Sequence, residues 1–203
     1  MYETPPELVS EQNQILEGVP SLGLGFKKVK IDPALLQMLR THMANNVRRF
    51  ESEPGGGFIQ SENPRAYPSL IYTDGALNSR LLQDLKGLHE DWCGMPLEIA
   101  TCYGIRVYQP RSYLYVHVDH ATTHVVSSTI CVDSRVNSPW PLVVEDIDGT
   151  RHEVSAEPGE MIFFEGARLK HGRPYPLDGD YYANIFLHYT PVGWSLEKPG
   201  SER

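Results

Sequence analysis

The sequence has 203 residues, of which 40% are hydrophobic and 22% are charged, and its formal net charge is −8. This length suits one domain with a substantial core, and the sequence has no run of about 18 apolar residues that would predict a membrane helix. The negative charge argues against nonspecific nucleic-acid binding, which requires a basic surface, and it is compatible with a basic peptide partner. We therefore expect one domain with neither a nucleic-acid nor a membrane partner. The sequence leaves the oligomeric state open.

The N-terminus and the cysteines predict where the protein resides. The first residues, Met-Tyr-Glu-Thr-Pro-Pro-Glu-Leu, have neither the basic start nor the apolar stretch of a secretory signal. The three cysteines, Cys93, Cys102 and Cys131, are odd in number and lack CxxC spacing. This pattern argues against a disulfide framework and against a zinc knuckle, and it favours a reducing compartment. We therefore expect an intracellular, cytoplasmic protein.

Residues 1–96 are predicted to form a support of helices and a strand. Residues 1–23 are polar and contain prolines, so we expect a loosely packed leader there. Residues 24–31 predict a short strand. Residues 51–66 contain three consecutive glycines and two prolines, and this composition predicts a loop or a mobile lid.

Two amphipathic helices are predicted within this support. The first covers about 33–50 and begins with an N-cap at Asp32 followed by Pro33 at the first helical position. Its apolar residues recur at steps of four, at Leu35, Leu39, Met43 and Val47. The second helix is capped by Thr73 or Asp74, and its apolar residues are Leu77, Leu81, Leu85, Leu88 and Trp92. We expect both helices to pack against a sheet as scaffold.

Residues 97–195 are predicted to form a β-rich catalytic core. Short β-prone runs separated by turn residues predict strands near 98–108, 112–119, 125–132, 141–146, 151–155, 160–165 and 181–189. Several short strands at this spacing are typical of a sandwich or barrel of jelly-roll type. Helices first and strands afterwards predict an α+β fold in a single domain.

The predicted strand at 112–119 ends with a histidine and a carboxylate two positions apart. Side chains at i and i+2 of a strand point to the same face, so His117 and Asp119 converge. Alone, this pair is also compatible with a strand surface that binds no metal. His171, after the strand at 160–165, returns to the same face if the sheet closes into a barrel. Two histidines and one carboxylate form the facial triad of non-haem Fe(II), so these three residues are candidate metal ligands and catalytic residues.

The order of these residues resembles that of the Fe(II)/2-oxoglutarate-dependent dioxygenases, and within them the prolyl 4-hydroxylase-like branch. The resemblance covers about 103–194 and rests on Tyr108, the His117-Val-Asp119 pair, the segment Pro158-Gly-Glu-Met-Ile-Phe-Phe164, His171 and the closing strand at 181–189. It implies a double-stranded β-helix core with supporting N-terminal helices. It also implies a hydroxylase that uses Fe(II), O2 and 2-oxoglutarate, releases succinate and CO2, and takes ascorbate as an optional addition. The implied substrate is an amino acid, peptide or protein, with a proline side chain as the first candidate.

The far carboxylate of 2-oxoglutarate requires a cation and hydroxyl donors. Members of the family usually carry Lys or Arg nine or ten residues after the distal histidine, where this sequence has Asp180 and Tyr181. We expect Arg173 to supply the cation in preference to Arg106. The candidate cosubstrate-binding residues are Tyr108, Ser127, Arg173 and Tyr181.

Two other functions remain open at the level of sequence. A noncatalytic jelly-roll binding module is motivated by the missing cation at 180–181. A metal-dependent hydrolase is suggested by residues 117–120, which partly resemble the HxHxDH motif of metallo-β-lactamase-like enzymes, although Tyr115 replaces the first histidine of that motif. Substrate selectivity is expected in the loops at 51–66 and 133–141.

Overall fold

A computed structural model describes residues 1–53 and 57–196. The helices are α1 (Pro6–Glu17), α2 (Pro33–Asn45), α3 (Gly75–Asp84) and α4 (Lys86–Cys93), with a 3-10 turn at Val47–Arg49. The strands are β1 (Phe26–Lys30), β2 (Glu51–Ser52), β3 (Ile59–Ser61), β4 (Leu70–Tyr72), β5 (Leu97–Thr101), β6 (Ile105–Tyr108), β7 (Ser112–His117), β8 (Val126–Val136), β9 (Leu142–Glu145), β10 (Arg151–Val154), β11 (Glu160–Phe164), β12 (Lys170–Arg173) and β13 (Gly179–Pro191). Within this described part, no helix has the length and apolar character needed to cross a lipid bilayer.

Two antiparallel sheets pack face to face. The larger sheet has eight strands in the order β1-β11-β8-β13-β6-β4-β2, with β5 also paired to β13, and the smaller has five in the order β10-β9-β12-β7-β3. Their inner faces meet in a cluster of buried side chains that includes Tyr108, Leu142, Val144, Phe164 and Tyr182. The protein is therefore a two-sheet β sandwich with a few supporting helices.

The outer face of the larger sheet is covered by α2, α3 and α4. Leu39 and Leu81 of these helices are fully buried, and they belong to the same apolar cluster as Ile130, Ile185 and Leu187 of β8 and β13. Burial of each such side chain stabilises the fold by about 1.5–3 kcal/mol relative to an exposed position. The helices therefore fix the larger sheet from outside and leave its inner face for the cavity.

The predicted helices are present but differ from expectation at their ends. Asp74 caps α3 by accepting hydrogen bonds from the first backbone N–H groups. The second helix is divided at Leu85 into α3 and α4, and Leu88 is exposed instead of buried. The first helix ends at Asn45, so Val47 is also exposed. The spacing of apolar residues is similar in one continuous helix and in two short helices that follow each other, so it could not show the division at Leu85.

Several strands differ from the prediction as well. The predicted strand at 98–108 is two strands, because Gly104 has a positive φ of 112° and approaches the Tyr72 carbonyl too closely for any side chain. The short strands β2, β3, β4 and β12 were not predicted. Two of them lie within the expected loop at 51–66, whose glycines at 55–56 fall outside the described residues.

The expected leader at 1–23 contains a helix, although most of its side chains are exposed. This segment forms α1 and lies against the sandwich: Gln12 and Val19 are buried, and the Tyr2 ring stacks on Tyr113 with 4.1 Å between centroids. Leu8, Ile15 and Leu16 of α1 are partly buried beside Gln12. This helical spacing was not recognised in a segment that is otherwise polar and contains prolines.

Candidate metal centre

The sheet brings the three candidate ligands together. His117 is the last residue of β7, and it lies directly opposite His171 in the antiparallel β7–β12 pair. Asp119 follows β7, where its backbone N–H donates to the Gly166 carbonyl at 2.8 Å. Its carboxylate oxygens lie 3.6 Å from Nε2 of His117 and 3.6 Å from Nε2 of His171. One potential ligand atom from each residue lies within 4.8 Å of the others.

Backbone carbonyls fix the orientation of both imidazoles. Nδ1 of His117 bonds to the Tyr115 carbonyl at 2.8 Å, and Nδ1 of His171 bonds to the Leu169 carbonyl at 2.8 Å. A carbonyl can only accept, so Nδ1 carries the proton in each ring and Nε2 keeps its lone pair. Both lone pairs are therefore available on the side of Asp119.

The charges at this site suit a divalent cation. Burial lowers the pKa of His171 to about 4, so its imidazole is neutral near pH 7. Burial acts to raise the pKa of Asp119, but the imidazoles of His171, His117 and His188 bring it below its usual range. Oδ2 of Asp119 is buried, and no group in the described part of the chain donates a hydrogen bond to it. The two imidazoles beside this buried carboxylate fit Fe(II) or a similar metal.

Two glycines that sequence reasoning missed permit this arrangement. A Cβ at Gly166 would lie 2.5 Å from Oδ2 of Asp119 and would also meet the Ser127 hydroxyl. A Cβ at Gly172 would lie 2.7 Å from the Tyr115 carbonyl, because β7 and β12 approach closely at a bulge between His171 and Arg173. The motif around His171 contains both glycines, but only the three-dimensional approach shows why they are needed.

A cavity of about 350 Å³ between the two sheets contains the three ligands. Its lining includes Arg173 and, on the other side, Gln12 of α1. Phe58 covers His117, with stacked rings 4.5 Å apart, and Phe164 lies 4.4 Å from the ring of His171. Aromatic rings therefore shield both histidines from solvent.

Arg173 is a buried cation at this cavity. Its guanidinium lies 4.8 Å from the Trp140 ring centre and 4.5 Å from that of Tyr182. It donates hydrogen bonds to the Trp140 carbonyl and, at 3.3 Å, to the Tyr182 hydroxyl. Among the described residues it has no carboxylate partner within ion-pair distance, although it is only 1% exposed. A buried, uncompensated guanidinium is costly, and an anion in the cavity would remove that cost.

Tyr108 and Arg106 lie on the inner face of β6, but their environments differ. Among residues 1–53 and 57–196, no group makes a hydrogen bond to the buried Tyr108 hydroxyl. Its ring packs against Trp140 with 5.0 Å between centroids. Arg106 bonds to both carboxylate oxygens of Glu53 at 2.7 and 2.8 Å. The charge of Arg106 is therefore compensated within the protein, whereas that of Arg173 is not.

Three predicted cosubstrate residues, Tyr108, Tyr181 and Ser127, are not among the residues that line the cavity. Tyr181 lies on the outer face of β13, where its hydroxyl donates to Asp133 at 2.7 Å, because alternate side chains of a strand point to opposite faces. Ser127 lies behind His188 and bonds to its Nδ1 at 2.8 Å. Asp180 is at the surface and pairs with Arg135. The expectations for Tyr181 and Ser127 as cosubstrate ligands are corrected on this geometry.

His188 is a cavity residue whose surroundings the sequence did not indicate. Its Nδ1 lies 4.0 Å from Oδ2 of Asp119, and its ring packs against His124 with 3.8 Å between centroids. His124 in turn bonds to the Tyr103 hydroxyl at 3.1 Å, while His120 is exposed. Burial lowers the pKa of His188 to about 3, so this second histidine is also neutral.

No protein-family model matches the sequence, and no curated protein matches it. Solved structures do match. A Pseudomonas putida prolyl-4-hydroxylase aligns with a TM-score of 0.64 and 14% identity over 92% of this chain and 100% of that one. HygX from Streptomyces hygroscopicus, with nickel, 2-oxoglutarate and hygromycin B bound, aligns with a TM-score of 0.60 and 14% identity over 93% of this chain and 89% of that one.

A third match carries a peptide. The Trichoplax adhaerens prolyl hydroxylase, in complex with a fragment of the hypoxia inducible factor oxygen degradation domain, aligns with a TM-score of 0.62 and 10% identity over 93% of this chain and 94% of that one. The chain therefore has the fold of the prolyl hydroxylases and other 2-oxoglutarate/Fe(II) oxygenases. The resemblance inferred from the sequence is confirmed at the level of the fold.

Proposed function

We propose that this protein is an Fe(II)- and 2-oxoglutarate-dependent dioxygenase. It hydroxylates an amino-acid or peptidyl substrate, with a prolyl side chain as the first candidate, and releases succinate and CO2. One observation carries the proposal: a single cavity is lined both by the His117, Asp119 and His171 cluster, which suits a metal cation, and by Arg173, which lacks a counter-anion. A metal cation would compensate the charge of the Asp119 carboxylate, and a dicarboxylate bound beside it would compensate the charge of Arg173.

Nε2 of His117, the Asp119 carboxylate and Nε2 of His171 would hold the metal and leave positions open for other ligands. Iron with O2 would supply the oxidative chemistry that side chains lack. The protein orients both imidazoles through their Nδ1 hydrogen bonds to carbonyls. Phe58 and Phe164 pack on these imidazoles and exclude water from the site.

Arg173 would bind the far carboxylate of 2-oxoglutarate, with the hydroxyl of Tyr108 as a further donor. Arginine pairs well with a carboxylate through parallel hydrogen bonds. The Tyr182 hydroxyl already accepts from Arg173, so it fixes the guanidinium in place. Arg106 is the weaker candidate because Glu53 already compensates it. The noncatalytic module was suggested because no cation is present at 180–181. Arg173 would supply that cation, so this reason no longer applies.

The strand order supports a double-stranded β-helix, or jelly roll. Strands β6 to β13 divide into β11-β8-β13-β6 in one sheet and β10-β9-β12-β7 in the other. We propose that 97–195 is the catalytic core and that 1–96 supports it within one domain. The substrates bound to two similar structures, a peptide and hygromycin B, support both peptidyl and small-molecule substrates for this fold.

The proposal is tested by anaerobic reconstitution with Fe(II), followed by addition of O2 and 2-oxoglutarate and measurement of succinate. We expect succinate that depends on Fe(II) and is absent with Zn(II). Stabilisation by 2-oxoglutarate in a thermal melt without succinate would favour the noncatalytic module instead. Tight zinc binding with water-dependent hydrolysis would favour the hydrolase, although Tyr115 does not line the cavity.

A further inference from the structure

Helix α1 contacts the metal-centre segment through one buried side chain. Val118 lies between two candidate ligands and beyond the last residue of β7, so the sheet ladder offers no partner for its N–H. Oε1 of Gln12 accepts this hydrogen bond from a position 106 residues earlier in the chain. Gln12 is 4% exposed and Val118 is 3% exposed, so water cannot replace the bond without a structural change.

The rest of α1 is held by few interactions. Gln12 is its one buried residue, and the residues before the helix add the Thr4 hydroxyl, which donates to the Val116 carbonyl at 2.8 Å. Ile15 packs only partly against the apolar cluster. Segments with few buried apolar contacts open at low free energy. The hydrogen bond at Val118 is therefore the buried polar contact through which α1 itself reaches the metal-centre segment.

We propose that Gln12 is a positioning residue of the metal centre. Its carboxamide fixes the backbone at Val118 and thereby sets the separation of His117 and Asp119. Metal ligands must be held within about 0.5 Å of their productive geometry, so loss of this restraint weakens metal binding. Because linkage is reciprocal, a bound metal also stabilises docked α1. The inference rests on the proposed function, because it assumes that His117, Asp119 and His171 bind a metal.

The test uses the full-length protein titrated with Co(II), with affinity and visible absorption as readouts. Gln12→Leu keeps the size of the side chain and removes the acceptor, and we expect its Co(II) affinity to fall about tenfold with a changed spectrum. Gln12→Glu keeps an acceptor oxygen and is expected to retain the wild-type spectrum. Gln14→Leu is the matched control, because Gln14 is an exposed glutamine on the same helix.

Amide hydrogen exchange of α1 supplies a second readout. Co(II) is expected to slow exchange of α1 in the wild type and in Gln14→Leu, but not in Gln12→Leu. The inference is overturned if Gln12→Leu matches the wild type in affinity, spectrum and exchange, or if Gln12→Glu is as defective as Gln12→Leu. If the wild type itself binds no Co(II), the proposed function fails first, so the two failures are distinguishable.

Discussion

The two faces of the larger sheet bury different kinds of side chain. The outer face packs against helices mainly through apolar residues, whereas the inner face combines an apolar cluster with the polar residues that line the cavity. Within β8 and β13 the two kinds alternate: Ile130 and Leu187 point to the helices, while Thr129 and His188 point inward. The same strands therefore provide stability on one face and the candidate chemistry on the other.

One buried histidine on each face of the sheet illustrates the difference between the two faces. Burial lowers the pKa of His89, on the helix side, to about 4, and it does the same to His171 in the cavity. His89 has both ring nitrogens bonded, one to a backbone carbonyl at 2.7 Å and the other to Ser128 at 2.8 Å. His171 has only Nδ1 bonded, and its Nε2 faces Asp119. The unbonded nitrogen, and not burial or pKa, distinguishes the candidate ligand from the structural histidine.

The largest effect is expected from His171→Ala. Metal affinity should fall by far more than a hundredfold, because removal of a group that merely orients a ligand already costs about 10–100-fold. Thermal stability should change less than in His89→Ala, which should bind the metal normally. Metal titration and melting of both variants check the comparison. Equal metal affinities in the two variants would contradict it.

Arg173→Met is expected to weaken 2-oxoglutarate binding about a hundredfold, since two charge-assisted hydrogen bonds of about 1.5 kcal/mol each would be lost. Metal affinity should be unchanged, because Arg173 does not contact the ligands. Isothermal titration with 2-oxoglutarate in the presence of Mn(II) measures the loss. Arg135→Met, at an exposed ion pair, is the control. A larger loss in Arg106→Met would show that the anchor is Arg106.

His89 should make stability depend on pH. Its folded-state pKa is about 4 against 6.5 for an ordinary histidine, so the unfolded chain binds the proton first. Its contribution is complete above pH 6.5 and is lost as the pH falls towards 4. We expect the wild type to lose about 2 kcal/mol more than His89→Gln over this window. Urea unfolding at pH 6.5 and at pH 4 measures the difference.

Gly166→Ala is expected to reduce metal affinity about tenfold, a loss similar to that of an orienting group. The new methyl would press on Oδ2 of Asp119 and displace it. The control, Gly87→Ala in α4, has open space around the added Cβ and should leave the metal site unchanged. A metal affinity for Gly166→Ala equal to that of the wild type would show that Asp119 can move freely.

Sequence patterns predicted the features that depend on short-range regularity, namely the strands and the side chains that share one face of a strand. The alternation of β7 indicated that His117 and Asp119 converge. Arg173 was favoured over Arg106 as the cation, although the bulged strand β12 that carries it was not predicted. Most β-strands from residue 97 onward were also visible as apolar runs between turns. These features follow from the backbone geometry of a strand, which is the same in every protein.

Long-range features could not be predicted in this way. The contact of Gln12 with Val118 joins a polar helix to a loop, and no periodicity marks it. Tyr181 was chosen by counting from the distal histidine, but the alternation along β13 turns Tyr182 inward, where its hydroxyl accepts from Arg173. The reason for Gly166 lies in its close approach to Asp119, which only the folded chain shows.

The most direct test is a crystal structure of the protein with Fe(II) and 2-oxoglutarate, prepared without oxygen. The account predicts a metal bound by Nε2 of His117, the carboxylate of Asp119 and Nε2 of His171. It also predicts the far carboxylate of 2-oxoglutarate on Arg173. A metal bound elsewhere, or a cosubstrate that leaves Arg173 without an anion, would contradict it.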